Sequence, residues 1–358
     1  MKKMIFILLA VLVVVFAFIA LYSLRSWLTM KNNISKNNSH ITEVKGFGRP
    51  FSVIKDEKEN LYVCDFGTNT VKVFDKNYTL VKEIGSSGNE GGQFKMPHAV
   101  DFDAQRNIFI TDYGNKRVQK FSPEGDFISI LTTPKQLKGP ATSYFDLNYN
   151  LYVSDFDSNS LLKFSPDQEF LGWIGAKSDG NATSGWEMSG DSSESAKPGG
   201  FNRVHSAKVD TDGTIYVIDT WNHRIQRFSS EGKFTGWIGA KEDGDLTNGW
   251  ETNGTAVMSK RPGGFNAPIA FDFSGGDEFV VLEYGNPRVQ RFSKEGRFIG
   301  WFGAIEGAGV TNGWAKDGLS REGSEVGAIK LAYDIRVYKN IMYIADTGNK
   351  RVQVVEFY

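Results

Sequence analysis

The decapeptide DYGNKRVQKF (112–121) constrains this chain most, because five variants of it recur: DFGTNTVKVF from Asp65, DFDSNSLLKF from Asp155, DTWNHRIQRF from Asp219, EYGNPRVQRF from Glu283 and DTGNKRVQVV from Asp346. The anchoring acids stand 47, 43, 64, 64 and 63 residues apart. Self-similarity at such a period marks an array of equivalent units, each burying its apolar faces only against its neighbours. An alternating apolar run precedes every copy: LYVC, IFIT, LYVS, IYVI, FVVL and MYIA.

The short spacings match one four-stranded propeller blade. In the second repeat, 96–103 reads as an inner strand and 107–111 and 117–121 as the next two. Ser122–Gly125 is a turn, and 127–131 is an outer strand. No stretch of 12 or more residues beyond the N-terminus has a helical period, so the pattern predicts an all-β, six-bladed propeller over residues 41–358. The sixth repeat stops after its third strand, while ITEVKGFG (41–48) is an orphan outer strand. Pairing the two predicts a ring closed by the N-terminal strand, which removes the exposed sheet edges.

The runs 91–125 and 198–232 resemble NHL repeats, and the resemblance recurs over residues 41–358. It implies a six-bladed propeller, a fold that serves as a binding platform in many proteins and as an enzyme in a few.

The Asp-x-x-Asn-x-Arg signature looks like chemistry, but a feature copied into nearly every blade is scaffold. Asp112, Asp219 and Asp346 with Arg117, Arg224, Arg288 and Arg351 are therefore predicted to be structural, satisfying turns and bridging repeats. The long spacings hold GWIGAKSDGNATSGWE, GWIGAKEDGDLTNGWE and GWFGAIEGAGVTNGWA, which place Trp173, Trp237 and Trp301 64 residues apart, and likewise Trp186, Trp250 and Trp314. The second Trp of each loop either pins the loop or offers an indole to a ligand. Trp186, Trp250 and Trp314 are the candidate ligand-binding residues. Calcium is not expected, because the third loop lacks the aspartates of the other two.

His98 and His205 share one register, fourteen residues before Asp112 and Asp219, at the start of inner strands. By the same count the equivalent positions are Phe51, Ala141, Ile269 and Ala332. Here the chain also resembles, more weakly, the peptidyl-α-hydroxyglycine amidating lyases. That resemblance implies zinc-binding histidines on alternate blades, two of which match His98 and His205. At the third position Ala332-Tyr333-Asp334 stands instead, with Asp334 the candidate oxygen ligand.

Residues 1–28 are of another kind. Met1-Lys2-Lys3 precedes eighteen uncharged apolar residues, Ile5–Tyr22, enough to span a bilayer, and no small-residue cleavage site follows. An uncleaved signal anchor is expected there, with a polar linker at 29–40 and the propeller facing the periplasm or cell exterior. A formal net charge of −1 argues against a nucleic-acid partner, and the single cysteine, Cys64, leaves no intrachain disulfide. The expectation is a membrane-tethered propeller binding a protein, peptide or glycan on its long-loop face; the alternative is a metal-dependent lyase centred on His98 and His205.

Overall fold

The computed structural model describes residues 41–357, and the anchor and linker expected at 1–40 lie outside them. Among the described residues no helix is long and apolar enough to cross a membrane. The described chain forms six antiparallel blades, the first five each running from an inner to an outer strand as a meander, and one short parallel pair, Ser86–Ser87 with Gln93–Phe94. The second blade runs Pro97–Phe102, Ile108–Asp112, Arg117–Phe121 and Phe127–Ile130, within a residue of the predicted bounds.

The strands are short and apolar because both faces of each blade are covered. Successive side chains point to opposite faces. Leu61 and Val63 accordingly join a cluster with Tyr343 and Val352 of the sixth blade, while Tyr62 and Cys64 join one with Val100 and Ile110 of the second. Six such clusters lie between successive pairs of blades, the last between blades six and one. Burial pushes the Cys64 thiol up to about 12, so it behaves as a small apolar side chain.

The ring closes through Ile41–Val44, which pairs antiparallel with Arg351–Glu356 as the outer strand of the sixth blade. Glu43 adds an ion pair to Arg351 across this seam. Ile41 lies opposite Val355, so the chain joins the ring at the end of that blade remote from Asp346 and Arg351.

The repeated signature is the fastener of each blade. In blade four, Asp219 accepts hydrogen bonds from the Asn222 amide, the Arg224 guanidinium at 2.8 Å, the Gln226 amide and the Asn202 backbone N–H. Arg224 also donates to the carbonyls of Lys197 and Gly200 in the incoming connection. Pairs at 2.9, 2.6 and 2.7 Å join Asp112 to Arg117, Glu283 to Arg288 and Asp346 to Arg351. An unpaired buried charge would be costly there, and these carboxylates have several donors each.

The three long connections fold back on their own blades. After the outer strand Phe170–Lys177, the chain turns and returns beside it, bridging Ala176 to Ala182 and Trp173 to Glu187. Blades four and five repeat this at Trp237–Glu251 and Trp301–Ala315. Gly172 explains the Gly-Trp pair: with φ +131°, a first side-chain carbon there would lie 2.8 Å from the Trp186 Cβ. Only glycine lets the returning segment approach so closely.

Candidate functional site

The blade ends that carry the anchoring acids surround the mouth of the central channel. Most blades line it with at least one residue near the start of the inner strand and one just after the acid. The mouth opens into a cavity of about 420 Å³ whose wall draws side chains from all six blades.

Its wall is mainly aromatic. The His98 imidazole is sandwiched, with the Phe51 ring 3.9 Å away at 16° and the Tyr113 ring 4.3 Å away at 12°. Phe51 stacks in turn on Tyr333 at 4.3 Å, and Tyr333 meets Tyr284 at 5.4 Å. Phe156 stands edge-on to His205 at 5.9 Å, and Trp221 is 52% exposed at the rim.

Polar groups in this wall lack protein partners. Nδ1 of His98, Nδ1 of His205 and Oγ1 of Thr220 are buried and make no hydrogen bond. Burial holds the His205 imidazole down at about 4, and burial together with the neighbouring His205 holds His98 well below its usual value. Both rings are therefore neutral at pH 7. The Tyr333 hydroxyl is pushed up to about 12 by burial and by the Tyr284 hydroxyl, with Arg49 pulling the other way.

The two histidines thus share one cavity, as their common register implies. A third metal ligand does not join them. In blades one to five a bulge adds a residue at the start of the inner strand, for example between Pro97 and Ala99. Blade six differs not there but in the turn between its first two strands: Asp334 pairs with Ala345 eleven residues on, where Ala99 pairs with Thr111 twelve residues on. Counting fourteen residues back therefore overshoots by one, and Tyr333, not Ala332, occupies the histidine position. Asp334 turns away from the mouth, accepting the Val53 backbone N–H at 3.1 Å and lying 3.5 Å from Arg336. Among the described residues no three His, Cys, Asp or Glu side chains stand close enough to hold a metal ion. The zinc set implied by the amidating-lyase resemblance does not fit these residues.

The loop tryptophans lie elsewhere. Trp186 donates its indole N–H to the Ser230 carbonyl at 2.9 Å, and Trp250 donates to that of Lys294 at 2.8 Å. Those carbonyls belong to the turns between third and fourth strands of the following blades. In blade four that turn adjoins Phe228 and Phe234, whereas His205 adjoins Asp219, at the opposite end of the sheet. Trp314 packs edge-on against Phe357 at 6.0 Å. The returning connections carry these indoles along the outer strand to the far end of the blade, so Trp186, Trp250 and Trp314 do not converge with His98 and His205 on one site. Trp173, Trp237 and Trp301 are buried, each donating to a carbonyl sixteen residues on.

The residues that do build the cavity carry a readable signal. The position after the anchoring acid is Phe66, Tyr113, Phe156 and Tyr284 in four repeats, with Thr220 followed by Trp221 in a fifth. An aromatic at a fixed offset beside a strand end marks one face of the ring.

The NHL repeat family model matches residues 94–121 and 201–228. No curated protein matches the chain. Among solved structures, virginiamycin B lyase from Staphylococcus aureus is similar over 90% of this chain and 100% of its own, at 10% identity and a TM-score of 0.55. An auxiliary nutrient binding protein from Bacteroides ovatus is similar over 89% of this chain and 77% of its own, at 14% identity and a TM-score of 0.58. Its counterpart from Bacteroides thetaiotaomicron covers 89% and 76%, at 14% identity and 0.57. Identities this low speak to the fold alone. The chain is a six-bladed β-propeller that carries NHL repeats.

Proposed function

We propose that this chain is a ligand-binding propeller whose site is the aromatic cavity at the channel mouth, carried on a membrane anchor at residues 5–22 and facing the periplasm or cell exterior. One observation carries the reading: an aromatic wall drawn from all six blades encloses a 420 Å³ space and holds three buried polar atoms without partners. That volume is in the range of small-ligand sites, which are mostly apolar with a few placed polar groups. It suits a compact ring-bearing molecule, or the ring-bearing end of a peptide or glycan. That propellers of similar shape include auxiliary nutrient binding proteins supports the same role.

A thermal-shift screen of short peptides, oligosaccharides and small aromatic compounds against the full chain tests this. Binders are expected to raise the melting temperature of the wild type and to lose most of that effect on Trp221→Ala or Tyr284→Ala. Binders unaffected by both changes, but lost on Trp250→Phe, would move the site to the outer loops.

A further inference from the structure

The charge of the cavity wall is lopsided. None of the described residues lining it is acidic, and its one cation is Arg49. The Arg49 guanidinium lies over the Phe66 ring at 4.6 Å, and among the described residues no carboxylate is paired with it. Stacking fixes the plane of a guanidinium while leaving its N–H edge free, a geometry suited to a carboxylate. An acid beside the cavity, Asp157, is already engaged by the Tyr113 hydroxyl at 2.9 Å and by the Arg203 guanidinium. Arg203 in turn packs on Phe156 at 5.2 Å, so this neighbouring pair adds no net charge.

Arg49 also sits within electrostatic reach of the Tyr333 hydroxyl, itself beside that of Tyr284. Blade one therefore offers a cation, and blades five and six hydroxyl groups, around one side of the mouth. Blade four, across the ring, offers the exposed Trp221 face. Phe51 and Tyr333, stacked on one another, line the space between.

We infer that the ligand is an aromatic monoanion: a planar ring system that stacks on the Trp221 side and carries one carboxylate that Arg49 receives. The inference rests on the reading of the cavity as a binding site and adds the charge and shape of what enters it. With both histidines neutral, no second positive charge competes for the anion, and a cationic ligand would face Arg49 without a compensating acid.

Isothermal titration calorimetry of the full chain with 2-naphthoate and with 2-naphthamide separates the two claims, because the probes share a ring and differ in charge. Naphthoate is expected to bind one site per chain at least tenfold more tightly than naphthamide. Arg49→Gln should bring naphthoate down to the naphthamide affinity and leave naphthamide unchanged, while Trp221→Ala should weaken both. Equal affinity of the two probes, with no effect of Arg49→Gln, overturns the anion assignment and keeps the cavity as a site for neutral rings. Absence of saturable binding by either probe overturns the binding site itself. Circular dichroism of each variant establishes that it is folded, and Arg49→Lys, which keeps the charge but not the fork, should retain part of the preference.

Discussion

Replacing Asp334 with asparagine should make the propeller's stability much less sensitive to pH. Asp334 is 6% exposed. Burial, aided by the Asp272 carboxylate, raises its carboxyl to about 8, against which the Val53 N–H and Lys208 pull only partway. A carboxyl whose folded value is raised holds its proton in the native state while the unfolded chain has lost it. Its effect is therefore a loss of stability as pH climbs from the unfolded value near 3.8 to about 8, with no further change above. Each unit of displacement is worth about 1.36 kcal/mol, so between pH 5 and pH 8 the wild type should lose roughly 3–4 kcal/mol through this group. The Asp334→Asn side chain would keep an oxygen for the Val53 N–H and has no proton to lose. Urea unfolding followed by tryptophan fluorescence, on both proteins at pH 5, 6.5 and 8, reads the difference directly. The variant should gain on the wild type by that amount across the interval, whatever its offset at pH 5. A gap that stays constant from pH 5 to pH 8 would mean that Asp334 is ionised throughout, held by Lys208 and Arg336, and would refute the argument.

Trp250→Phe removes the donor to the Lys294 carbonyl while keeping most of the ring, and should cost about 1 kcal/mol in thermal unfolding without weakening a ligand at the channel mouth. Removing residues 41–48 strips the outer strand from blade six and leaves Arg351–Glu356 as a bare edge. Calorimetry should then show a lower melting temperature and size-exclusion chromatography should show self-association, whereas unchanged unfolding would mean the ring does not depend on this seam.

Much of the fold is legible without coordinates. Strand bounds in blade two agree within a residue because period-2 alternation and turn residues are local properties of the chain. The surplus strand before Phe51 points to closure, since an unpaired edge is costly wherever it falls, and Ile41–Val44 does pair with Arg351–Glu356. The site is less legible. Counting along the chain misplaces Tyr333 by one residue because the turn between the first two strands of blade six is one residue shorter, and only the pairing reveals it: Asp334 meets Ala345 eleven residues on, where Ala99 meets Thr111 twelve residues on. The loops of Trp186, Trp250 and Trp314 begin on the channel face, and spacing alone therefore places their indoles there. What decides their position is that each loop doubles back along its outer strand, and only the pairing of Ala176 with Ala182 and of Trp173 with Glu187 reveals that.

The sequence by itself determined what repeats: six copies of an acid-anchored hairpin, the apolar faces that each copy must cover, and the two histidines in common register. Those follow from alternation and spacing, which act along the chain. Only the tertiary structure decided what converges. Arg49, Phe51, Trp221 and Tyr333 are spread along the sequence, and they meet because ring closure brings the same end of every blade to one axis. The recurring decapeptide is the device that makes this possible. Its acids, paired with arginines in four of the six blades, are consumed in holding the blades together, which leaves the variable residues beside them free to build the mouth.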